Sequence, residues 1–278
     1  MPIFDPTEVS HYVAGFNAAS APASSFKTWS STWSNGRSFL EGSADFDALR
    51  AQLLREVERL LLMSASNYRR THDLISVSAT PWAFVTTYYA AFFAASALMG
   101  LFGLSIVAKG KRLLSVSSST PGSQQLVVAP FVSPSGATGS HQKFWELFYS
   151  EMAALIPWLP IVERPFLSPV SADPFWFIAR RNDVNYDSFV ACDLSLQSAG
   201  LSAATFPSGL PGNLSTAFGV MQGLLALTAR LAKEANLETD ATSALSTAAT
   251  RRARLKDLVT SRRPIGLASK VVTRTMIG

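Results

Sequence analysis

PWAFVTTYYAAFFAASALMGLFGLSIVA, residues 81–108, decides how the rest of the chain is read. No charged residue occurs between Asp73 and Lys109. By length and apolarity the stretch could cross a bilayer, and Lys109, Lys111 and Arg112 follow it as a cytoplasmic flank would. Its middle argues otherwise. Thr86, Thr87, Tyr88 and Tyr89 are polar handles, and the alanines around them are small. A helix that is apolar on all sides also suits the centre of a large helical bundle. We therefore predict a buried helix over Trp82–Leu101, with Pro81 in its first turn, and place membrane association second.

The composition permits such a core. Of 278 residues, 48% are apolar and only 15% charged. The formal charge of +5 is unevenly spread: from Arg230 onward there are ten Lys/Arg against four Asp/Glu, so the remainder is close to neutral. That basic C-terminal part suits nucleic acid, anionic lipid or an acidic protein. Cys192 is the single cysteine, which excludes an intrachain disulfide and a thiolate zinc site. Beside Ala191 it reads as a small core residue. His11, His72 and His141 are far apart in sequence, so no metal or cofactor is expected. The start, MPIFDPTEVS, lacks a basic region followed by an apolar one, so no secretory leader is read and a cytoplasmic location is expected.

Working outward, residues 1–43 are rich in Ser, Ala and Gly without sustained period. They read as an irregular extension that wraps the domain through Phe26, Trp29 and Trp33 or stays loose. Phe46, Leu49, Leu53, Val57 and Leu60 recur at three- and four-residue spacing behind Ser43 or Asp45 as a cap, predicting a long helix that breaks near Ser76–Pro81. Within about 104–140, β-branched runs flank Thr120-Pro121-Gly122 and predict a small β-hairpin inserted between helices. Residues His141–Ile156 read as a helix. Five prolines between 157 and 174 make the next connection extended, with Trp145, Trp158 and Trp176 anchoring it. Asp173-Pro174 starts another helix. Further helices are read at about Leu214–Ala235 and Thr239–Val259, before a basic tail. The expected fold is all-α: an antiparallel helical bundle over 44–200 with a small β-hairpin insertion, then C-terminal helices and tail over 201–278.

The second informative stretch is ARRNDVNYDSFVAC, residues 179–192. On a helix, Arg181 and Asn185 stand one turn apart, while Phe177, Val184 and Cys192 can reach the core. Arg181 presents a planar fork of donors suited to phosphate or carboxylate, and Asn185 both a donor and an acceptor. The plain alternative is an internal network, with Arg180 on Asp183 and Arg181 on an acid elsewhere. His141 at a helix start reads first as a cap or surface group. Tyr88 and Tyr89 read first as core or cleft lining.

Three motifs in order resemble the HEPN superfamily, in particular small prokaryotic HEPN proteins that accompany minimal nucleotidyltransferases. Tyr88, Tyr89, Ala90, Phe92, Ala94, Ala95, Ala97 and Leu98 match that group's Tyr-Tyr-Ala-x-Phe-x-Ala-Ala-x-Ala-Leu run. His141 in SHQKFWELF matches the histidine opening its next helix. Arg181 and Tyr186 match Arg-x-x-Ala-Asp-Tyr, where Val184 and Asn185 replace the usual Ala and Asp. The resemblance covers about 44–200 and is silent on both ends of the chain. It implies a helical bundle, often a homodimer, with the arginine near a cleft between protomers. It also implies RNA or nucleotide as ligand, a nucleotidyltransferase-type protein as companion, and a setting in toxin–antitoxin or phage-defence systems.

Many members of that superfamily are metal-independent ribonucleases with an Arg-x(4–6)-His motif. Here four residues intervene between Arg180 and position 185, but that position is Asn, and no histidine follows His141. An amide cannot serve as a general base near neutral pH. The candidate catalytic set is thus Arg181, Asn185 and His141, and the candidate RNA- or nucleotide-binding set Arg180, Tyr186, Tyr89, Arg251, Arg252 and Arg254. The expectation is a binding protein with weak or no catalysis. Two alternatives stay open: an active ribonuclease whose base comes from elsewhere, and a structural or assembly protein with a basic nucleic-acid-binding tail.

Overall fold

Ser43 starts the longest element by taking a hydrogen bond from the Phe46 backbone N–H at 3.2 Å, with Asp45 and Asp47 in the positive first turn. In this computed structural model, residues 26–107, 112–118, 123–155, 173–197 and 212–234 are described. They form α1 (Phe26–Ser30), β1 (Ser38–Leu40), α2 (Ala44–Ser76), α3 (Thr80–Leu101), β2 (Ser105–Val107), β3 (Arg112–Ser118) and β4 (Gln125–Pro130). After these come α4 (Ser140–Leu155), α5 (Trp176–Tyr186), α6 (Ser188–Gln197) and α7 (Gly212–Glu234). The described chain is mainly α with one small antiparallel sheet. The Thr120-Pro121-Gly122 turn, the proline-rich connection over 157–172, the helix expected at 239–259 and the basic tail lie outside the described residues.

α3 is the central element. It packs most extensively on α2, then on α7, and also meets α5 and α6. Its mostly buried, charge-free length is long and apolar enough to cross a membrane by those criteria alone. Here it is covered by other helices. Ala90, Ala91, Ala94, Ala95 and Ala97 are fully buried, and small side chains let neighbouring helices come close. The polar groups it buries are satisfied. Ser64 donates to the Ala90 carbonyl at 2.7 Å, Thr87 to Ala83 at 2.7 Å, and Thr228 of α7 to Ala94 at 3.1 Å. Contacts pairing 57 with 100, 64 with 90 and 71 with 86 show that α2 and α3 run antiparallel.

Both helices end in the same capping motif. At the end of α3, Leu104 N–H bonds to Met99 O and Gly103 N–H to Gly100 O, with Gly103 at φ 71°. At the end of α2, Ala79 N–H bonds to Leu74 O and Ser78 N–H to Ile75 O. There Ser78 occupies the left-handed position, at φ 59°.

The predicted hairpin is β3–β4, with Leu114 opposite Val128 and an irregularity between Val116 and Ser118. The sheet is larger than a hairpin, in the order β1-β4-β3-β2. β2 comes from the end of the charge-free stretch, and β1 from the segment read as irregular. Phe39 pairs with Leu126, and both Phe39 and Trp33 are fully buried. A three-residue strand has too few positions to show a period, and its partner lies far along the chain. Residues 26–43 are therefore part of the folded body.

The 179–192 stretch is two helices. Asp187 breaks it: its carboxylate accepts from the backbone N–H of Phe189 at 2.9 Å and of Val190 at 3.3 Å, capping α6. Phe177 and Val184 are buried as expected, but Cys192 is exposed on α6, contrary to its reading as a core residue. The helical phase that would have carried Cys192 inward is reset at Asp187.

Candidate functional site

One cavity and one cluster of polar and aromatic side chains stand out among the described residues. A cavity of about 680 Å³ between α1, α2, α3 and β2 is lined mainly by apolar groups, among them Leu53, Val57, Met99 and Leu104. Its lining also carries Lys27 and Arg59, the latter paired with Glu56. Phe92, Ser140 and Phe144 form one wall, and beyond Phe92 the chemistry changes.

There α3, α4 and α5 converge on the Tyr88 ring. Tyr88 and Phe92 are one turn apart on α3; His141 and Trp145 are one turn apart on α4; Phe177 and Arg181 are one turn apart on α5. Three pairs at the same spacing place six side chains around one point. The Tyr88 hydroxyl lies 2.7 Å from His141 Nδ1 and accepts a hydrogen bond from Trp145 Nε1–H at 3.3 Å. Trp145 stacks on Phe177 at 5.4 Å between centroids, and Phe92 lies 4.6 Å from the His141 ring. Arg181 places its guanidinium carbon 5.1 Å from the Tyr88 centroid, over the negative face of the ring.

The electrostatics follow from burial. Tyr88 is fully buried, and removal from water pushes its phenol up to about 12; the Trp145 hydrogen bond and the Arg181 charge offset part of that rise. His141 is half-buried. Burial, and after it the Arg181 charge, hold its imidazole below the ordinary value of 6.5, so the neutral form is favoured. Arg181 is half-buried too. One terminal nitrogen donates to Asn182 Oδ1 at 2.7 Å, while its Nε is buried without a hydrogen-bond partner. Among the described residues no carboxylate pairs with Arg181. Its neighbour Arg180, which is exposed, forms the expected ion pair with Asp183 at 3.0 Å.

The structure thus brings together Arg181, His141 and Tyr89, whose ring stands edge-on to His141 at 6.2 Å. Asn185 does not join them. It is exposed near the end of α5, and the amide that Arg181 uses is Asn182. The shared Arg181–Asn185 groove is corrected accordingly: one turn along α5 is enough to leave the core for solvent. Tyr186 is 81% exposed, a surface ring with an open face. Arg251, Arg252 and Arg254 lie outside the described residues. Tyr88 is buried, as its reading as core or cleft lining expects, but its role as the hub was not read from the sequence; the connection that Trp145 was expected to anchor lies outside the described residues. The i, i+4 spacing of His141 with Trp145 was the available signal.

No group of three or more His, Cys, Asp or Glu side chains gathers among the described residues. The chain matches no protein-family model, no curated protein and no solved structure.

Proposed function

We propose that this is a HEPN-like helical protein that binds RNA or nucleotides through phosphate, with weak or no catalysis, and that it serves in a toxin–antitoxin or phage-defence system. One observation carries the reading. Arg181 is a half-buried cation with no carboxylate partner among the described residues, seated on Tyr88 beside a neutral-leaning histidine. A permanent guanidinium held that way is receptive to an anion, and its fork matches phosphate oxygens. Tyr89 near His141, and the exposed Tyr186 and Arg180 on the same helix as Arg181, supply a ring and a charge for flanking nucleotides. A homodimer and a nucleotidyltransferase-type companion belong to the same reading.

The test is binding of labelled single-stranded RNA and of mononucleotides by the full chain, with Arg181→Ala as control. Loss of one charged hydrogen-bonding group predicts a fall of roughly tenfold or more. Absence of binding, or equal binding by the variant, removes the proposal. The assembly-protein alternative makes a different prediction: RNA affinity indifferent to Arg181→Ala but abolished by deleting residues 251–278. The active-ribonuclease alternative requires cleavage that depends on Arg181, with the base supplied by His141, Asp183, Asp187 or a partner chain.

A further inference from the structure

We infer that Tyr88 is a positioning residue that holds neutral His141 in a single tautomer, with the proton on Nε2, so that His141 acts at this site as a hydrogen-bond donor and not as a base. The inference deepens the proposed phosphate-binding reading and rests on it for its functional meaning. The tautomer itself stands on geometry alone.

A phenol has one proton to give and two lone pairs to receive with, whereas an indole N–H can only donate. Trp145 Nε1 therefore occupies a lone pair of the Tyr88 oxygen. The Tyr88 proton needs an acceptor, and the partner at 2.7 Å is His141 Nδ1. If Nδ1 carried the imidazole proton instead, the Tyr88 oxygen would receive from both rings. Its own proton would then be buried without an acceptor, which is costly. Nδ1 is thus bare and Nε2 protonated. Among the described residues, the titratable and charged groups placed around His141 are Tyr88 and Tyr89 of α3 and Arg181 of α5, and none of them is a carboxylate that would favour the imidazolium.

The consequence is chemical. A general base must present a lone pair to the proton it removes. Nε2 has none in this tautomer, and a neutral imidazole giving up its last proton would become an imidazolate. Neither half of acid–base ribonuclease chemistry is open to His141 while Tyr88 holds it. What remains is an N–H beside a guanidinium: two donors, matched to the acceptor-only oxygens of a phosphodiester.

The experiment is imidazole nitrogen NMR on the full chain with labelled histidine at neutral pH, the His141 signals being assigned by their loss in His141→Asn. The expected result is a protonated Nε2 and an unprotonated Nδ1. In Tyr88→Phe, both nitrogens move towards the averaged positions of a tautomer mixture. A protonated Nδ1 in the wild-type chain, or unchanged signals in a folded Tyr88→Phe variant, overturns the inference. If Tyr88→Phe does not fold, the wild-type spectrum decides alone. A labelled single-stranded RNA added to the same sample separates the two readings. RNA that fails to bind a protein with the expected tautomer sinks the phosphate-binding proposal and leaves the positioning role standing. RNA that binds a protein with protonated Nδ1 does the reverse.

Discussion

The guanidinium of Arg181 lies over the ring of Tyr88, with its central carbon 5.1 Å from the ring centroid. The planar cation is oriented by the ring and by its hydrogen bond to Asn182 Oδ1, so its plane keeps a set direction. Lysine retains the charge but neither the plane nor the fork. We expect Arg181→Lys to bind RNA more weakly than wild type and Arg181→Ala more weakly still. The logarithmic dependence of affinity on salt should flatten by about one phosphate contact in Arg181→Ala. Fluorescence titration across a salt series reads both. An unchanged salt slope would show that Arg181 does not meet phosphate.

His141 links this cluster to pH. Its folded value lies below the ordinary 6.5 because burial and Arg181 disfavour the charged form. The unfolded chain therefore binds the proton more readily. The stability tied to His141 is complete above 6.5 and is lost as pH falls through the lower folded value. Urea unfolding from about pH 8 down to about pH 5 should show this decline, and His141→Asn should lack it. Arg181→Ala should also raise the histidine's titration, because it removes one of the two causes.

Glu146 acts in a separate window. Burial alone would raise its carboxyl, but hydrogen bonds from Ser133 and Ser135 outweigh that and hold it below 4.5. The Ser133 hydroxyl donates to one carboxylate oxygen and the Ser135 backbone N–H to the other, at 2.7 Å, which ties the 133–137 turn to α4. Glu146→Gln leaves an amide N–H₂ facing one of those donors and should cost about 1–3 kcal/mol in urea unfolding at neutral pH. In the wild-type chain this contribution is present above 4.5 and disappears as pH drops through the folded value. The variant should lose that acid-sensitive component.

Gly100 marks a close approach of α3 to α2. A Cβ there would stand 2.7 Å from Val57 Cγ2, a methyl on a buried, β-branched side chain with little freedom to turn. Overpacking of about 1–3 kcal/mol outweighs the roughly 1 kcal/mol that alanine gains in a helix. Gly100→Ala should lower the melting temperature, and Val57→Ala in the same chain should recover part of the loss. Simple additivity of the two substitutions would contradict the contact.

Ser78 offers the opposite case. It sits in the left-handed position of a capping motif whose counterpart after α3 is Gly103. Relief of a penalty of about 1–2 kcal/mol, less the entropy that glycine adds to the unfolded chain, makes Ser78→Gly stabilising by on the order of 0.5 kcal/mol. Chemical denaturation measures it; a destabilised variant would mean that the serine side chain matters there.

Periodicity and punctuation made most of the helices legible. Apolar spacing predicted α2, and Ser43 and Pro81 marked starts that the structure retains. The uncharged run from 81 read as a buried helix because alanines and hydroxyls suit a helix packed on several sides. These are local signals, set within a few turns of chain. The pairing of β1 with β4, the Asp187 break and the exposure of Cys192 and Asn185 were not readable in that way. A strand of three residues has no period, and a one-residue cap shifts the phase of everything after it.

The cluster around Tyr88 belongs to the second kind. Each contributing helix carries its pair of side chains at i, i+4, which is visible in the chain, but nothing local says that three such pairs face one another. Helix–helix packing decided that a tyrosine hydroxyl would meet a histidine from α4 and a guanidinium from α5. The residue types supplied the available chemistry. Their convergence in a water-poor space, where each donor must find its acceptor, determined which part of that chemistry the molecule can use.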